Sequence, residues 1–121
     1  MTRKVTERPG IYRVTHTPTG RTLLGHGRDA PARLNRIRFQ LDARLFPGVA
    51  LQRDWTRDGA GAFTFEVLDE LRPQAGQDLD QELETLLHLW QERLGLHDEL
   101  NYAAASAQGA PQAGDGGPGR G

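Results

Sequence analysis

Apolar and polar positions alternate from Ile11 to His16, with Tyr12, Val14 and His16 on one face and Ile11, Arg13 and Thr15 on the other, so the spacing predicts a strand. Thr17-Pro18-Thr19-Gly20 then pairs a ring-fixed φ with a residue free to turn, and Arg21 to Leu24 forms the second arm of a hairpin. Tyr12 is expected near Leu23 across that hairpin, with the register left open by the turn type. Beyond Asp29 the period changes. Leu34, Ile37, Leu41 and Leu45 recur at helical spacing, Asp29 can cap the first turn and Pro31 is tolerated within it, which predicts a helix running to about Leu45. Arg33, Arg36, Gln40 and Arg44 form the neighbouring stripe.

Phe46-Pro47-Gly48 breaks the chain, and Val49 to Arg57 reads as a short helix with Leu51 and Trp55 four residues apart. Phe63 to Asp69 alternates again, with Phe63, Phe65 and Val67 against Thr64 and Glu66, and is expected to be the central strand. After a loop at Arg72 to Gln77, the residues Leu79, Leu83, Leu86, Leu87, Trp90 and Leu94 mark one face of a long amphipathic helix. Projected at the helical period, Glu84 lies with Leu87 and Gln91 along one edge of that apolar stripe, half inside. From Ala103 onward Ala, Gly, Pro, Gln and Ser dominate, which predicts a disordered tail. The expected layout is a lead-in over 1–8, one α/β domain over 9–102 and a tail over 103–121.

The absence of cysteine rules out disulfides and thiolate metal sites. No apolar run approaches the length needed to span a bilayer and Met1 to Lys4 lead into no apolar segment, so a cytoplasmic protein is expected. The net charge of −1 conceals a division, because residues 1–57 hold 12 Lys/Arg against 4 Asp/Glu and residues 58–121 hold 3 against 12. Such a chain either presents a basic face to an anionic partner or neutralises itself internally. All but one of the basic residues are Arg, whose planar fork suits phosphate. His16, His26, His88 and His97 show no metal-site spacing. Gly25-His26-Gly27 lacks the remaining residues of a nucleotide-binding loop, and no serine elbow is present.

Gly10-Ile11-Tyr12, followed by Leu23-Leu24-Gly25 on the second arm, resembles the two-part signature of the GIY-YIG nucleases. The order hairpin, Arg helix, small helix, strand and acidic helix is similar to that whole domain. The eighth position after Gly25 is Arg33, where the family carries an arginine. The resemblance implies a three-stranded antiparallel sheet flanked by helices and hydrolysis of DNA phosphodiesters with one divalent metal, Mg²⁺ or Mn²⁺. It assigns Tyr12 to help deprotonate the attacking water, Arg33 to bind the phosphoryl group, Glu84 to hold the metal and Asn101 to fasten the C-terminal segment. Gly10 and Gly25 would be structural, His26 an added catalytic group, and Arg28, Arg36 and Arg44 contacts to DNA. Three positions depart from the family pattern: Leu23 stands for the second tyrosine, Ile37 for a common histidine, and the metal position falls on Glu84 in one helix register and on Leu87 in another. The resemblance thus implies a DNA endonuclease or repair-related nuclease, whose specificity would have to come from this small domain itself, a protein partner or a homodimer. A nucleic-acid-binding domain that no longer cleaves, and a protein-interaction module whose basic and acidic halves pair between copies, are the alternatives.

Overall fold

The computed structural model describes residues 7–96 and 98–102, so residues 1–6 of the predicted lead-in 1–8, His97 and the predicted tail 103–121 lie outside the described residues. β1 (Gly10–His16) and β2 (Arg21–Gly27) form the hairpin, α1 (Ala30–Asp42) and α2 (Val49–Asp58) follow, and a 3-10 turn at Ala60–Ala62 leads into β3 (Phe63–Glu70). α3 (Leu79–Leu94) and a 3-10 turn at Asp98–Leu100 complete the chain. This is the expected three-stranded antiparallel sheet with flanking helices.

The strand order β2-β1-β3 corrects the expectation that β3 is central: β1 is, and β3 is an edge. The burial explains why. Ile11 and Val14 are fully buried and Tyr12 nearly so, so β1 is covered on both faces, whereas most of β3 is partly exposed. On one face Tyr12 and Val14 pack with Leu34, Ile37 and Leu41 of α1, Leu51 and Trp55 of α2, Phe63 and Tyr102. On the other, Arg13 bonds Glu66 through both carboxylate oxygens, and Trp90 Nε1 of α3 donates to Asp69 Oδ2 at 3.0 Å.

α1 stops earlier than its apolar stripe suggested. Its last helical residue is Asp42, Arg44 takes a left-handed conformation at φ 63°, and Leu45 is exposed instead of continuing the stripe. The start is as expected, with Asp29 Oδ1 accepting from Ala32 N at 3.3 Å and Pro31 within the first turn. The charge division also resolves inward. Arg8 pairs with Glu70, Arg13 with Glu66 and Arg28 with Asp80, each an arginine of the basic half on a carboxylate of the acidic half.

Sequence spacing left His16 without a role, and the structure buries it completely. Its Nε2 lies 2.7 Å from Asp58 Oδ2 and its Nδ1 2.7 Å from Thr19 Oγ1. Beside it Asp54, also fully buried, accepts from Tyr102 Oη at 2.6 Å and Arg21 Nη1 at 3.1 Å, with Arg57 Nη2 3.1 Å from its other oxygen. Burial opposes the Asp54 charge, but the hydrogen bonds from Tyr102 and Arg21 and the charge of Arg21 outweigh it and hold the carboxyl below its ordinary value. Hydrogen bonds from Arg57 and His16 lower Asp58 from 3.8 to about 2.

A carboxyl depressed in the folded state stabilises it above the unfolded pKa and loses that contribution as pH falls toward the folded one. The fold is therefore expected to lose stability between about pH 4 and about 2 as Asp58 is titrated. Urea midpoints across that range should fall less steeply for Asp58→Asn than for the native chain. Equal slopes would exclude this carboxyl as the cause.

Candidate functional site

The hairpin register puts Gly25 opposite Tyr12 and Leu23 opposite Val14. Leu23 therefore lies diagonally beside Tyr12 on the same face, partly buried against the core. A Cβ on Gly25 would stand 2.4 Å from the Tyr12 hydroxyl, so the bare glycine makes room for the phenol. Gly10 is equally constrained, since a Cβ there would meet Asp69 O at 2.1 Å, where β3 slips register between Ile11 and Tyr12.

The seat that Gly25 provides leaves the Tyr12 hydroxyl near Arg33, whose side chain lies beside the next same-face position, Gly27. Burial pushes the phenol above its ordinary value and Arg33, by charge and hydrogen bond, partly offsets that. Tyr12 is therefore a neutral phenol at physiological pH. A guanidinium only donates, so a hydrogen bond between the two would run from Arg33 to the phenol oxygen.

Gly25→Ala should displace the ring and cost about 1–3 kcal/mol through overpacking. Gly27→Ala is the control, because its Cβ would sit 3.6 Å from Arg33 Nε in ordinary contact. Chemical denaturation of both variants measures the difference, and equal stabilities would refute the packing account.

Beyond Arg33 lies a cleft of about 410 Å³ at the open β2 edge of the sheet, where the first turns of α1 and α3 meet. Its walls are His26, Gly27, Arg28, Asp29, Ala32, Arg33, Arg36, Asp80 and Leu83, and its volume falls in the usual range for ligand sites. Arg33 and Arg36 are exposed to it from α1. The two carboxylates are both engaged. Asp29 caps α1, and Asp80 Oδ1 accepts from Arg28 Nε at 3.1 Å. The free wall is therefore cationic and fits an anion.

The structure thus brings Arg33, His26, Arg28 and Arg36 to one cleft, with Tyr12 joined to it through Arg33. Arg44 is elsewhere, in the turn after α1, because the helix ends before its stripe reaches that far. Asn101 forms a single parallel bridge with Thr22 of β2, next to the buried Tyr102. Glu84, expected half inside, is exposed and does not line the cleft. The helical projection explains the difference, since Leu83 is the fully buried residue of α3 and Glu84 is turned about 100° from it.

Glu84 thus stands outside this cleft, and among the described residues no three His, Cys, Asp or Glu gather to hold an ion. Mg²⁺ needs only one or two carboxylates and keeps its waters. Asp80 is the α3 carboxylate on the cleft wall, where its Oδ1 accepts from Arg28. Spacing could have found it, because Asp80 precedes Leu83 by three and Leu87 by seven, on the flank of the same stripe.

No helix among the described residues is long and apolar enough to cross a membrane. No family model matches the sequence, and no curated protein matches it. Among solved structures, the chain is similar to the catalytic domain of the homing endonuclease I-TevI, with a TM-score of 0.62 and 19% identity over 77% of this chain and 96% of that one. A second structure of the same catalytic domain, described there as from an intron endonuclease and carrying a glutamate-to-alanine mutation, gives a TM-score of 0.60 and 20% identity, covering 73% of this chain and 84% of that one. Sheet order, the Tyr12–Gly25 seat and these likenesses agree, and the chain has the fold of the GIY-YIG endonuclease catalytic domain.

Proposed function

We propose that this chain is a DNA endonuclease of the GIY-YIG type, hydrolysing phosphodiesters at the cleft between α1 and α3. The observation that carries this reading is the cleft in which Arg33 and Arg36 stand exposed, with Tyr12 close to Arg33. Arg33 binds the phosphoryl oxygens, where negative charge grows in the transition state, and Tyr12 fixes its orientation. Arg36 grips the same phosphate or its neighbour. His26, partly exposed on the β2 side of the cleft, is the group placed to pass a proton to or from the reacting oxygens. Mg²⁺ or Mn²⁺ would be held at Asp80, in place of its bond to Arg28, and would supply charge neutralisation and a more acidic water.

A second reading, a DNA-binding domain that no longer cleaves, is favoured by Leu23. It occupies the place of the second tyrosine beside Tyr12 and carries no hydroxyl. Cleavage of single-stranded, duplex and branched DNA with Mg²⁺ or Mn²⁺ at low salt separates the two. The hydrolytic reading expects cutting by the native chain and its loss in Arg33→Ala and Asp80→Asn. Loss in Glu84→Ala with Asp80→Asn active would put the ion on the outer side of α3 instead. Binding without cutting under every condition would establish the second reading.

A further inference from the structure

We propose that the cleft takes DNA carrying an unpaired nucleotide, whose base stacks on Phe39. The proposal rests on the nucleic-acid reading of the cleft and adds the class of substrate. Phe39 is 68% exposed, and among the described residues it is the one aromatic side chain left so open. The other exposed large apolar residues, Leu45, Val49 and Leu89, are aliphatic and present no π-face.

Its position on α1 gives that exposure a direction. Phe39 is seven residues beyond Ala32, which lines the cleft, so the two lie on nearly the same face, about 10 Å apart along the axis. Arg36, also on the cleft wall, comes one turn before Phe39. A phosphate held by Arg33 and Arg36 therefore places the next few nucleotides of its strand alongside the Phe39 ring. The face of Phe39 is opposite the buried stripe of Leu34, Ile37 and Leu41, so the ring is not part of the core.

A cationic grip followed by an open aromatic ring is the combination that holds single strands, because every base has a face to stack. Within a duplex those faces are covered by neighbouring pairs, and exposing one means extruding the nucleotide. The cleft should therefore prefer overhangs, flaps or single strands to blunt duplex.

The test uses the full chain in EDTA, with fluorescence anisotropy on a blunt duplex, the same duplex with a single-stranded overhang, and the free single strand. A 2-aminopurine in the overhang reports stacking by its quenching. The native chain is expected to bind the overhang more tightly than the blunt duplex and to quench the probe. Phe39→Ala should weaken overhang binding about 5- to 150-fold, abolish the quenching and leave duplex binding unchanged. Phe39→Trp should restore both signals and Phe39→Leu neither.

Unchanged overhang binding in Phe39→Ala, with Arg33→Ala defective on both DNAs, overturns the stacking proposal while the reading of the cleft stands. Failure of the native chain to bind any of the DNAs overturns both. Self-association that Phe39→Ala abolishes, with DNA binding unaltered, would assign the ring to contact with another copy and overturn the proposal.

Discussion

Asp54→Ala is expected to destabilise the domain by about 3–5 kcal/mol, the usual cost of breaking a buried, paired charge network. The carboxylate is fully buried, and three groups converge on it: Arg57 one turn along the same helix, α2, and from distant parts of the chain Arg21 on β2 and Tyr102 at the end of the described residues. Removing it leaves the Tyr102 hydroxyl buried without its acceptor and frees the segment that crosses β2 at Asn101. Since small domains are stable by about 5–15 kcal/mol, this single change removes a large part of the total. Urea denaturation followed by the fluorescence of Trp55, which packs in the same core, measures it. Tyr102→Phe should cost less, about 1.5–3 kcal/mol, because Arg21 still holds the carboxylate. A loss below about 1 kcal/mol in Asp54→Ala would show that the network is dispensable, as exposed ion pairs usually are.

Arg33→Ala is expected to lower cleavage about 10²–10³-fold, the effect of deleting one charge-stabilising group at a reacting centre. Arg33→Lys should recover little, because an ammonium has neither the planar fork nor the reach to keep both the phenol and a phosphate. Binding provides an independent readout. The slope of log affinity against log salt should shrink by about one in Arg33→Ala if the residue neutralises a phosphate. Tyr12→Phe removes the acceptor but not the cation, so it should impair cleavage while leaving the salt slope intact. Equal salt slopes for native chain and Arg33→Ala would remove Arg33 from the phosphate and with it the basis of the proposed site.

Much of the fold was legible in residue order. The alternation at Ile11 to His16 and Phe63 to Asp69 and the stripe from Leu79 to Leu94 each set their element to within a residue or so. Asp29 capped the helix it was expected to cap. What periodicity misjudged were ends and neighbours. Leu45 kept the apolar period of α1 but fell beyond the turn at Arg44, and β3 alternated well enough to suggest a central strand although it lies at the edge. A pattern records that one side of a segment is buried, not what covers the other side.

For the proposed site, the sequence by itself pointed to Tyr12 in the first strand and to Arg33 at a set distance after Gly25. Short-range geometry is enough for this, because one hairpin and the first turns of the helix that follows it bring these residues together. Only the tertiary structure decided which carboxylate reaches the cleft. The rotation of α3 about its own axis is set by how Leu83 buries against the sheet, and a turn of about 100° separates the exposed Glu84 from that contact. Tertiary packing likewise brought His16 and Tyr102 to Asp54 and Asp58, which stand one turn apart on α2, because buried charges must find partners wherever the fold brings them. It also left Phe39 in solvent one turn from Arg36, a position that is apolar in the sequence yet faces away from every layer of the core.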